Sequence, residues 1–117
     1  MIGLPRGARI VIATKPVDFR RGGESLAALA REVLKEDPYK GVIVIFRSRR
    51  ADRVKLVTWD GTGLLMVWKA LNGAQFCWPP IVDGCMRLTA EQATVLLAGM
   101  DWRRFQPLEA VAPTVSR

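Results

Sequence analysis

The run Val42-Ile43-Val44-Ile45-Phe46 constrains the fold of this chain more than any other segment. Five apolar residues in a row, four of them β-branched, are too few for an ordinary helix and show no apolar-polar alternation. They predict a central strand covered on both faces.

A doubly covered strand needs an apolar layer on each side, and the residues just before it supply one. Phe19, Leu26, Leu29, Ala30, Val33 and Leu34 recur at helical spacing, with Arg31, Glu32, Lys35 and Glu36 on the opposite side. Asp18 is placed to cap the first turn, Gly22-Gly23 to loosen it, and Pro38 to stop the far end. The firm part of this helix is expected over residues 24–35, with Leu26, Leu29 and Val33 packed on the sheet. Residues 9–13 form a short β-branched run between turn residues and read as a first strand, expected near an edge. Residues 53–59 and 64–69 flank Asp60-Gly61-Thr62-Gly63, and residues 75–78 follow Asn72-Gly73. Together with residues 42–46 they predict four successive strands in a meander.

Pro79-Pro80 breaks that pattern, and a short strand is expected over residues 86–88. Thr89-Ala90-Glu91-Gln92 then opens a second helix with a T-x-x-Q capping box. Ala93, Leu96, Leu97 and Met100 give it an apolar stripe, and Gly99 sits near its end. At 117 residues the chain fits one domain. The expected fold is α+β over residues 1–106, a mainly antiparallel meander sheet of about four to six strands with two helices packed on it. Residues 107–117 lack periodicity and read as a mobile tail.

Composition removes several function classes. The chain has no histidine, which excludes Ser-His-Asp and Cys-His catalysis in their usual forms and every histidine metal site. Cys77 and Cys85 are the only cysteines, too far apart for a C-x-x-C pair and too few for a structural zinc site, and they read as buried thiols. A carboxylate site for a hard cation could draw on Asp18, Asp52, Asp60, Asp83, Asp101 and Glu24. Each has a simpler reading: Asp60 and Asp83 precede glycine as turn residues, and Asp18 caps a helix. No metal and no cofactor is expected. The apolar runs fall far short of the roughly 20 residues needed to cross a bilayer, and the N-terminus does not read as a signal peptide. A cytoplasmic protein without membrane contact is expected.

Charge points toward a partner. Lys plus Arg number 18 against 11 acidic residues, a net +7, and the pI of 10.3 favours a polyanion. Arginine outnumbers lysine, 13 to 5, and its planar guanidinium suits bidentate phosphate contacts. The densest patch is Phe46-Arg47-Ser48-Arg49-Arg50-Ala51-Asp52-Arg53-Val54-Lys55, which joins two predicted strands. Arg47, Arg49, Arg50, Arg53 and Lys55 are candidate phosphate ligands there, projecting from a hairpin tip. The same charges would also serve to keep a sheet edge from pairing. Arg20-Arg21 lies at the start of the first helix, where cations do not complement the helix dipole, and joins the candidate set. Among Trp59, Trp68, Trp78 and Trp102, core packing is expected for Trp68, while Trp59 beside Asp60-Gly61 is the candidate for stacking on an unpaired base.

Several segments carry a resemblance: D-F-R-R-G with L-A-A-L, V-I-V-I-F-R-S-R-R-A-D-R-V-K, W-D-G-T-G-L, F-C-W-P, and L-T-A-E-Q with L-L-A-G-M-D-W. In order and spacing, from about Leu4 to Trp102, the chain resembles the small accessory protein of bacterial insertion sequences of the IS66 group, the product of their second open reading frame. The resemblance implies a non-catalytic role in transposition beside a separate, larger transposase and a co-encoded accessory protein. It transfers no catalytic residues. Two readings remain open: a DNA-binding accessory factor using the arginine loop, or a protein-interaction module whose charge meets an acidic partner. A small metal-dependent nuclease is the weakest reading. Whether the chain self-associates is also left open.

Overall fold

The computed structural model describes residues 4, 5, 7–80 and 84–101. Its centre is the strand Ile43–Arg47 (β2), whose first four residues are buried. β2 is flanked on one side by Ile10–Ala13 (β1), which runs parallel to it, and on the other by Arg53–Trp59 (β3), which runs antiparallel. Leu64–Ala70 (β4) continues antiparallel beyond β3, and Cys85–Leu88 (β5) pairs antiparallel with β1. The sheet order is therefore β4-β3-β2-β1-β5: mixed, mostly antiparallel, within an α+β fold.

Strand alternation splits the core into two layers. Ile10, Ile12, Ile43, Ile45, Val54 and Leu56 face one way, against Ala93, Leu96 and Leu97 of the helix Ala90–Leu97 (α2). Val11, Ala13, Val44, Phe46 and Val57 face the other way, against Leu26, Ala27 and Ala30. Leu26 and Ala27 belong to the helix Gly23–Leu29 (α1), which widens into a π-turn over Ala30–Leu34. α2 opens with the expected capping box: Thr89 Oγ1 accepts from Gln92 N–H, and Gln92 Oε1 accepts from Thr89 N–H. Lys69 Nζ donates to the Leu97 carbonyl at the far end of α2, where a cation complements the helix dipole.

β1 does lie near an edge, one strand in, because β5 reaches it from far along the chain and completes its second ladder. Several expectations are corrected. The meander has three strands, not four. The segment expected as a fourth spends its donors on loop carbonyls instead: Gln75 Nε2 on Arg50 O and Phe76 N–H on Ala51 O. Asp18 does not cap α1, whose N-cap is Gly22. It accepts instead from Arg20 N–H in a turn, and Phe19 precedes the helix. Val33 is 63% exposed because the π-turn shifts the helical register, turning Ala30 and Leu34 inward. Trp68 is 54% exposed, lying on the outermost strand. Met100 is also exposed, and both cysteines are half-buried. Asp83, Trp102 and the expected tail lie outside the described residues.

Candidate nucleic-acid interface

The turn between β2 and β3 is held rigidly. Ser48 N–H donates to Arg53 O, Arg53 N–H to Ser48 Oγ, Ala51 N–H to Ser48 O, and Ser48 Oγ to Asp52 Oδ1. Ala51 adopts a left-handed conformation at φ 59°, uncommon for a residue with a Cβ. Its carbonyl and that of Arg50 are tied down from residues 75 and 76. Arg49 and Arg50 occupy the tip of this braced turn and are exposed, with Arg53 exposed at the start of β3. The tip is thus a firm platform, and ligand binding would order only the arginine side chains.

The second basic motif folds against the first. Val17 N–H donates to Arg47 O at 3.0 Å, placing the loop before α1 beside the arginine turn. Between them lies an open cleft of about 420 Å³ lined by Pro16, Val17, Asp18, Phe19, Arg20, Ser48 and Arg49. Arg20 and Arg49, 29 positions apart in sequence, therefore share one concavity. Asp18 orients Arg20 through Oδ2, which accepts from Nη2 at 2.7 Å. The side-chain hydrogen bonds from Arg20, followed by the bond from its backbone N–H, hold the Asp18 carboxyl well below the usual carboxylate range. Arg21 donates from Nη1 to Ser25 Oγ and is otherwise turned to solvent.

Lys55 is withdrawn from the surface. It is 7% exposed, and Nζ donates to Phe19 O at 2.8 Å and to Arg21 O at 2.9 Å, lying 4.8 Å from the centroid of the Phe19 ring. The expected phosphate ligand is thus a tether that fixes the Arg20-Arg21 loop. Its ladder partner is Phe46, on the α1 side of the sheet. Arg47 pairs with Val54 and so lies on the opposite side, outside the cleft. Arg47 Nε is buried without a hydrogen-bond partner among the described residues, and that burial lowers its pKa. Trp59 stands at the other end of β3 from Arg53, about 20 Å away at strand rise. Its ring meets Tyr39 at 5.9 Å, and Arg31 lies over the Tyr39 ring.

Among the described residues the carboxylates do not converge. Asp52 binds Ser48, and Asp60 accepts from Thr62 N–H, Thr62 Oγ1 and Gly63 N–H, bonds that lower its pKa, the Thr62 N–H contributing most. Among the described residues no group of three or more histidine, cysteine, aspartate or glutamate side chains could hold a metal ion, and no helix is long and apolar enough to cross a membrane.

The model of the IS66 Orf2 like proteins matches residues 8–107, which span both basic loops, every strand and both helices. The chain belongs to that family. Two similar proteins are found in Sinorhizobium fredii (strain NBRC 101917 / NGR234). The uncharacterised protein y4jC is 44% identical over 114 residues, 97% of each chain. The uncharacterised protein y4hO is 38% identical over 113 residues, 95% of this chain and 96% of its own. No solved structure gives a significant match. Membership in the IS66 Orf2 family ties the chain to the accessory apparatus of insertion-sequence transposition. Two elements of its basic site escaped sequence reasoning: the Lys55 tether and the meeting of the two loops. The D-F-R-R-G and F-R-S-R-R motifs each stood out, but nothing in their spacing signalled that they meet.

Proposed function

We propose that this protein is a non-catalytic accessory factor in insertion-sequence transposition, acting in the cytoplasm by binding DNA through the face where its two basic loops meet. The carrying observation is the cleft shared by Arg20 and Arg49, closed by the Val17–Arg47 backbone bond. With Arg21, Arg50 and Arg53 exposed around it, this face offers guanidinium groups from two loops to one backbone. Phosphate contacts of this kind position DNA without reading its sequence, which suits a factor that assists a separate transposase. The separate hydrogen-bond partners of Asp18, Asp52 and Asp60 and the lack of histidine support a role without catalysis. The transposase and the co-encoded accessory protein are the protein partners of this reading.

The test is a titration of the purified protein against labelled element-end duplex and unrelated duplex at several salt concentrations. Binding of both, weakening linearly in log affinity against log salt, is the expected result. Absence of DNA binding at low salt, with the fold intact, would contradict it and favour the docking of an acidic protein partner on the same cations.

A further inference from the structure

Among the described residues, the outer edge of the sheet at β4 is unguarded and no strand lies beyond it. Its register with β3 runs without a bulge from Leu64, opposite Trp59, to Ala70, opposite Arg53, and it contains no proline. Proteins normally blunt such an edge with lysines, prolines or bulges. The one charge on β4, Lys69, is drawn inward to the Leu97 carbonyl, while Leu65, Met66 and Trp68 remain exposed.

The direction of the free backbone groups follows from two hydrogen bonds at the ends of the ladder. Asp60 N–H donates to Gly63 O, and Leu71 N–H donates to Asp52 O. Hydrogen-bonded and non-hydrogen-bonded pairs alternate along an antiparallel ladder, so Leu65, Val67 and Lys69 turn their backbone groups toward β3. Leu64, Met66, Trp68 and Ala70 turn theirs outward.

We propose that β4 pairs antiparallel with β4 of a second copy of this chain, about a two-fold axis at Val67, joining the two five-stranded sheets into one. In this register all four outward-facing residues find partners. Leu64 lies opposite the partner's Ala70, and Met66 opposite the partner's Trp68, a thioether against an indole. Charge favours the same arrangement. Exposed Asp60 marks the Leu64 end of the strand and exposed Arg53 flanks the Ala70 end. Antiparallel self-pairing brings the acidic end of each copy toward the basic end of the other, whereas parallel pairing would set like beside like. Residues directly opposite share a sheet face, so the axis is perpendicular to the sheet. It turns the α1 side and the basic loops of both copies the same way.

Sedimentation velocity of the full chain over a wide concentration range is expected to show a species of twice the 13.0 kDa chain mass. Met66→Pro removes an outward-facing N–H while sparing the bonds to β3, and Trp68→Lys charges an exposed position. Each is expected to abolish the dimer while leaving the circular dichroism spectrum unchanged. Val67→Cys faces its own copy across the axis in a non-hydrogen-bonded pair, where Cα atoms approach to about 4.5 Å and a disulfide fits. Mild oxidation is expected to cross-link the two substituted positions, mapped by peptide analysis apart from Cys77 and Cys85. A monomer at every concentration, as when residues beyond 101 or an unlike protein cover the edge, would overturn the proposal. So would a dimer that survives both folded variants.

Discussion

Lys55 and Arg49 stand six residues apart in one basic run and lie in opposite environments. Lys55 is buried beneath the Arg20-Arg21 loop, with two carbonyls and the Phe19 ring around its ammonium. Arg49 projects from the tip of a braced turn into an open cleft. The difference comes from strand parity: Lys55 alternates inward on β3 toward the α1 layer, whereas Arg49 precedes the strand and escapes alternation. Positive charge in such a run therefore takes two forms, one cation holding a loop in place and others left open to solvent.

Substitutions can break this comparison, beginning inside the layer that Lys55 borders. Val44 is fully buried against the α1 helix. Val44→Asp puts a carboxylate there and is expected to cost roughly 4 kcal/mol or more, or to prevent folding, as read by urea denaturation. Lys55→Ala removes two charge-assisted hydrogen bonds and is expected to cost about 1.5–3 kcal/mol. It should also raise amide exchange across residues 18–21, which the same change at an exposed cation would not do.

Glu36 extends the comparison to an acidic group. It is buried and accepts two bonds from Arg9, at 2.8 and 2.7 Å, and these hold its pKa below the ordinary 4.5. A depressed carboxylate contributes stability that is present above its unfolded pKa and lost as pH falls through the folded one. Stability should therefore decline on acidification below about pH 4.5, and Glu36→Gln should flatten that decline while costing about 1–2 kcal/mol at neutral pH. Arg50→Asp, at the exposed tip, gives the smallest effect, expected within about 0.5 kcal/mol of the parent.

Much of the fold was legible because local signals agreed with burial. The β-branched run became β2, the Asp60-Gly61 turn set the β3–β4 hairpin, and the capping box opened α2 at Thr89. Two of the failures share a cause: they depend on what a distant segment does. The arginine turn took the donors of residues 75 and 76, and Trp68 was left exposed because its strand is outermost. Within the site, the exposed tip was legible from hairpin position. The Lys55 tether was not, since its acceptors lie 36 and 34 positions away.

The most direct test of the DNA-binding account compares the salt dependence of DNA affinity in the parent, in the Arg49→Ala/Arg50→Ala double variant and in Arg47→Ala, all shown to be folded. The account predicts that the double variant lowers the slope of log affinity against log salt by about 1.8, or about 0.9 for each lost phosphate contact, while Arg47→Ala, outside the cleft, leaves it unchanged. An unchanged affinity and slope in the double variant would contradict the assignment of this basic face to DNA.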